Sequence, residues 1–156
     1  MIEVEIADPA WSAAIPEAEA LTISAAKAAL AAASAQGDVA VRLASDAEVA
    51  ELNRRFRSKA GPTNVLSFPA PASAAPHLGD VALAQGVCLA EARDQGKRPE
   101  HHLMHLVAHG VLHLVGYDHQ TEVEAETMEA LERRLLQALG APDPYQGALP
   151  GGTHAV

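Results

Sequence analysis

The sequence predicts an α/β fold of the α+β-like kind, a single small mixed sheet of four strands flanked by helices. Three observations lead there. Four short stretches show either two-residue apolar alternation or β-branched composition, longer stretches between and after them read as helices, and glycines and prolines punctuate the joints. At 156 residues the chain suits one domain, large enough to bury roughly 68–70% of its unfolded surface. That domain is expected to span 1–140. Residues 141–156, with Pro142, Pro144, Pro150 and the pair Gly151-Gly152, are expected to form a disordered tail.

The elements follow in order. Residues 1–7 alternate Ile2, Val4 and Ile6 with Glu3 and Glu5, the signature of a strand with one covered face. After the breakers Pro9 and Pro16, the alanine-rich stretch 17–35 reads as a helix ended by Gly37. Residues 38–44 carry Val39, Val41 and Leu43 at alternate positions, a second strand, and Ser45-Asp46-Ala47-Glu48 is a capping box that opens a helix through Phe56. The β-branched and aromatic run 63–68, stopped by Pro69, is a third strand. Residues 69–78, with three prolines, read as an exposed loop before a fourth strand at 80–84. A short helix from Val87 is divided at Arg98-Pro99 from a longer one over 100–115, which Gly116 ends. A second capping box at Thr121-Glu122-Val123-Glu124 starts the last helix, whose expected apolar face holds Val123, Met128, Leu131, Leu135, Leu136 and Leu139.

Bulk properties narrow the function. A single cysteine, Cys88, cannot form an internal disulfide and suits a reducing compartment. No leading basic-apolar segment and no apolar run of roughly 18 residues is present, so a cytoplasmic protein with no membrane partner is expected. The net charge of −9 opposes long-range attraction of a polyanion. Against that, Arg54, Arg55, Arg57 and Lys59 place four of the eleven basic residues within a few positions. That cluster suits a phosphate site and a solvated helix end equally well.

The chemistry is concentrated in 109–119. His109 and His113 stand one helical turn apart and present both imidazoles on one face. Gly116 lets the chain reverse, so that His119 can bring a third nitrogen. Three nitrogen ligands are the donor set of a catalytic divalent ion, zinc foremost, with one coordination position left open for a water acidified to a pKa of about 7. Hydrolysis is the reaction class this implies, and the metal-bearing helix lies in the C-terminal half. The spacing H-x-x-x-H-x-x-G-x-x-H is also that of the metzincin proteases, but Gly110 occupies the place of their general-base glutamate. A zinc peptidase is thereby disfavoured and a phosphodiester becomes the natural substrate. His105, one turn before His109, is a partner to the ligands or a packing residue; Asp118 orients an imidazole or caps a turn; His101 and His102 are expected to be solvated.

The segment HGVLHLVGYDH at 109–119 resembles the signature of the YbeY family of bacterial rRNA maturation factors. LNRRFRSKAGPTNVLSFP at 52–69 resembles that family's second motif, and Gly79-Asp80-Val81 its following strand. The resemblance implies a metal-dependent endoribonuclease specific for single-stranded RNA. It would act in ribosomal RNA maturation, including the small-subunit 3′ end, and in ribosome quality control. It also implies a small mixed sheet flanked by helices, the ligands His109, His113 and His119, and a functional arginine at Arg57. A guanidinium holds a phosphate through two parallel hydrogen bonds, which suits Arg57 as a clamp. Arg54, Arg55 and Lys59 are expected to contact RNA backbone. The alternative is a ribosome-associated assembly factor whose metal is mainly structural and whose acidic surface meets a basic ribosomal protein. A fourth protein ligand on the metal would favour that alternative.

Overall fold

The computed structural model describes residues 1–57 and 63–145, and of Arg57 the backbone alone. Its strands are β1 (Ile2–Ile6), β2 (Asp38–Ala44), β3 (Val65–Pro69) and β4 (His77–Ala84). They form one sheet in the order β1-β2-β4-β3. β1 and β4 both run parallel to β2, while β3 runs antiparallel to β4, so the sheet is mixed as expected. The helices are α1 (Ala10–Ala14), α2 (Ala18–Ala32), α3 (Asp46–Arg57), α4 (Gln85–Asp94), α5 (Pro99–Leu114) and α6 (Glu122–Ala138).

The alternation read from the sequence sorts side chains onto two faces. On β2, Val39, Val41 and Leu43 join Leu83, Val65 and Val81 in the main core, closed by Ala25, Ala29 and Leu30 of α2 and Leu106, Val107 and Val111 of α5. The other face carries a smaller cluster of Ala44, Val49, Leu66, Ala82 and Ala84, covered by α3. Phe68 of β3 meets Phe56 edge to face there, at 5.7 Å between ring centres. Among the described residues, no helix is long and apolar enough to cross a membrane.

Four local readings change. The breaker-rich stretch after β1 contains the single turn α1, which buries Trp11 completely; its indole N–H donates to the Ala44 carbonyl at 2.9 Å. The fourth strand begins at His77, inside the stretch expected to be a loop, because Pro69 and Gly79 pair across the β3–β4 ladder and Asp38 pairs with His77. Its opening residues are weak strand formers, and Gly79, at φ +149°, sits where a β-carbon would lie 2.5 Å from the Phe68 carbonyl oxygen. At the start of α3 only half of the capping box forms. Ser45 accepts from the Glu48 backbone at 3.1 Å, but the Glu48 carboxylate turns instead to Arg42. Within the stretch expected to be a disordered tail, Ala141 and Pro144 are buried and Tyr145 packs on α5. Residues 146–156 lie outside the described residues.

Helix α5 is buried nearly all round, and one residue sets how closely it lies on the sheet. A β-carbon at Gly110 would stand 2.7 Å from Val81 Cγ1 and 3.2 Å from Ser67 Oγ. The Ser67 hydroxyl donates to the Gly110 carbonyl at 2.9 Å, tying β3 to the helix. Alanine is favoured over glycine in a helix by about 1 kcal/mol, whereas overpacking a tight contact costs about 1–3 kcal/mol. Gly110→Ala is therefore expected to lower stability by up to about 2 kcal/mol. Urea unfolding reads this directly, and an unchanged or raised midpoint would show that α5 can lift off the sheet.

Candidate metal centre

Three features of the local sequence bring the histidines together. The helical repeat of α5 stacks His109 and His113, whose rings meet at 4.6 Å between centres. Gly116 follows the helix at φ +102°, and the Tyr117 backbone N–H returns to the Leu112 carbonyl at 3.0 Å, which turns the chain back. The far end of this short return is held by the capping box expected from sequence: Thr121 Oγ1 accepts from the Glu124 backbone and the Glu124 carboxylate from the Thr121 backbone, both at 3.1 Å. Between the two stops His119 lies with its ring centre 5.5 Å from that of His109 and 5.0 Å from that of His113.

His109, His113 and His119 form a group whose ligand atoms all lie within 4.8 Å of one another. Burial is graded across it, with His109 buried, His113 half-buried and His119 exposed, so the group opens to solvent on one side. The donor chemistry fits a divalent cation. His113 Nδ1–H donates to the Tyr117 carbonyl at 2.8 Å, and His109 Nδ1–H donates to the Glu132 carboxylate at 3.3 Å. Each ring thus spends its proton on Nδ1 and presents an unprotonated Nε2. Those two Nε2 atoms face each other at 3.0 Å. Two lone pairs this close repel unless a cation lies between them. Burial, followed by the neighbouring His109 and His119, lowers the His113 pKa to about 4, so the ring is neutral at physiological pH.

The other residues singled out from the sequence fall as follows. His105 is buried and its Nε2–H donates to Glu132 at 2.6 Å, while its buried Nδ1 has no partner among the described residues. Asp118 accepts from the His119 backbone at 2.7 Å, a turn contact rather than one to an imidazole ring. His102 is buried, not solvated, because its Nε2 meets Glu91 of α4 at 3.0 Å and Glu91 in turn accepts from Asn64. Arg54 is exposed and paired with Glu51 at 2.6 Å, and exposed Arg55 lies over the Phe56 ring at 5.3 Å. The Arg57 side chain and Lys59 lie outside the described residues.

Glu132 was missed. It is completely buried on α6 and accepts from His105, from His109 and, at 2.9 Å, from the Tyr145 hydroxyl. Burial alone would raise its pKa, but the hydrogen bonds from His105 and His109 outweigh it and hold the carboxyl at about 2. A signal was present in the sequence. Glu132 falls four residues after Met128 and four before Leu136, within the apolar stripe, where an acid stands only if it is paired.

The family described as endoribonuclease YbeY matches residues 5–140. An endoribonuclease YbeY of Azorhizobium caulinodans is 47% identical over 157 residues, covering 96% of this chain and 97% of that one. Another from Rhodopseudomonas palustris (strain HaA2) is 50% identical over 156 residues, covering 92% and 80%. A solution structure of a Thermotoga maritima protein superposes with a TM-score of 0.57 at 25% identity, over 98% of this chain and all of that one.

Two titrations give an acid prediction for metal-free protein. His113 costs nothing above its unfolded value of 6.5, but between pH 6.5 and about 4 the unfolded chain binds the proton and the folded one does not. Glu132 stabilises fully above its unfolded value of 4.5, and that contribution is lost as pH falls through about 2. The melting temperature of chelator-treated protein should be level above pH 6.5 and fall steadily below it. A melting temperature unchanged between pH 6.5 and 4 would mean that His113 titrates normally.

Proposed function

We propose, since the chain belongs to the endoribonuclease YbeY family, that it cleaves single-stranded RNA with one divalent metal ion, zinc foremost. Its place is the cytoplasm, in the maturation of ribosomal RNA including the small-subunit 3′ end and in ribosome quality control, in company with ribosomal proteins. The observation that carries the metal is the pair of Nε2 atoms of His109 and His113 facing each other at 3.0 Å, with His119 beside them.

His109, His113 and His119 would hold the ion. When bound, it supplies Lewis-acid stabilisation of the charge that develops on the phosphodiester. Three donors in the group leave room for a substrate oxygen, which favours a catalytic over a purely structural ion. The peptidase alternative is weakened on geometry as well as sequence. Position 110 faces Val81 and Ser67 of the sheet, where a glutamate has no space. Arg57, by the family motif 52–69, is the proposed phosphate clamp. Its planar fork binds two phosphate oxygens and stabilises the charge that grows on them as the P–O bond breaks. The nucleophile is read from the products, because attack by the ribose 2′-hydroxyl leaves a cyclic phosphate and attack by water does not.

His113→Ala should abolish cleavage of a defined single-stranded RNA and bind far less zinc. It should also lose the rise in melting temperature that zinc gives the wild type through linkage. Normal cleavage and unchanged zinc affinity would remove His113 from the site. Arg57→Ala should lower turnover by about 10²–10³-fold with metal content and melting temperature unchanged. Arg57→Lys, which keeps the charge and loses the fork, should recover only part of the loss. Wild-type turnover in the alanine variant rules out the clamp, and a large drop in melting temperature would make Arg57 a structural residue instead.

A further inference from the structure

We propose that Glu132, steadied by Tyr145, is a positioning residue of the metal centre: it orients His109 and supplies the negative charge that balances the ion across the His109 ring. This rests on the three-histidine metal reading and extends it to residues outside the histidine motif.

The hydrogen-bonding shell of Glu132 carries no permanent charge, and the Lys97 ammonium acts on it through space. Glu132 is completely buried, and its donors are two imidazoles and a phenol, none of which carries a permanent charge. Burying an ionised carboxylate is costly, and the hydrogen bonds from His105, His109 and Tyr145 offset that cost. The placement suggests what else the charge does. Glu132 Oε2 lies on the Nδ1 side of His109, and the Nε2 of the same ring faces His113. A cation held there would share one imidazole with the carboxylate. The ring's proton is then fixed on Nδ1 and the basicity of Nε2 is raised.

His105 and Tyr145 hold the carboxylate in place. His105 donates to the same oxygen as His109 at 2.6 Å, and the Tyr145 hydroxyl donates to Oε1 at 2.9 Å. The Tyr145 ring also packs edge to face on His105, at 5.4 Å between centres. Residues 141–145 are thus tied to the metal helix through α6, although they lie beyond residue 140, where the family match ends.

The test separates charge from packing. Glu132→Gln keeps the shape and one carbonyl oxygen for the two imidazole donors, and the Tyr145 hydroxyl can rotate to accept from the new amide. Zinc affinity, measured by competition with a chromophoric chelator on the full chain, should fall about 10–100-fold. The melting temperature of the metal-free variant should fall as well, because His105 and His109 lose a charged acceptor, so zinc affinity is the deciding measurement. Tyr145→Phe should weaken zinc by less, under about tenfold. A merely structural carboxylate gives a lower metal-free melting temperature with unchanged zinc affinity, and that result overturns the proposal. His113→Ala is the control. If wild-type protein binds no zinc, the three-histidine reading fails and this proposal with it. If wild type binds, His113→Ala does not, and Glu132→Gln binds as wild type, only the role of Glu132 is lost. Should Glu132→Gln fail to fold, Tyr145→Phe with wild-type affinity is the overturning result.

Discussion

The seating of α5 against the sheet at Gly110 is the contact on which the rest of the site depends. With no side chain at that position, Val81 and Ser67 reach the helix directly, and the Ser67 hydroxyl closes the contact by binding the Gly110 carbonyl. The helix is thereby fixed in rotation as well as distance. Turning position 110 into the sheet directs positions 109 and 113 to a different side, where the chain after Gly116 can come back to meet them. One missing β-carbon therefore decides both what the helix packs on and what it presents.

Rigid neighbours keep the three imidazoles from drifting apart. The connection between α5 and α6 is stopped at one end by a left-handed glycine and at the other by a complete capping box. Little conformational freedom remains for His119 to lose when a ligand binds. The network behind the site reaches farther still. Glu132 comes from α6, Tyr145 from the segment after it, and the parallel contact of His102 with Glu91 and Asn64 links α5 to α4 and to the approach to β3.

Most of the sheet was legible because its strands alternate cleanly, as β1 and β2 do, and the three histidines were legible because their spacing obeys helical geometry around a glycine. What escaped had a common cause. Trp11, the first residues of β4, His102, Glu132 and Tyr145 all owe their state to partners far along the chain, which periodicity over a short window does not register. His102 looked solvated because nothing near it in sequence shows Glu91 waiting on the neighbouring helix. Glu132 was obscured by the acidic and basic residues beside it on α6, which are ordinary for an exposed helix face. The Pro-rich opening of the tail read as unstructured because the value of Tyr145 lies in one hydroxyl and one ring contact rather than in an apolar run.

The order of elements has a consequence for how the molecule is made. All four strands are complete by Ala84, while α5, which covers β3 and β4 on the main core side, begins only at Pro99. During synthesis the nascent chain therefore carries a finished set of strands with an uncovered apolar face until the histidine helix has left the ribosome. The helix that bears the imidazoles is also the cover over β3 and β4, and α6 adds Met128, Leu135 and Leu136 to the same core after it. A premature stop before it does not yield a folded but inactive protein. It yields a sheet covered by α2 and α3 but bare where α5 would lie, the kind of surface that aggregates or is degraded, so production of the fold and possession of the site are a single event.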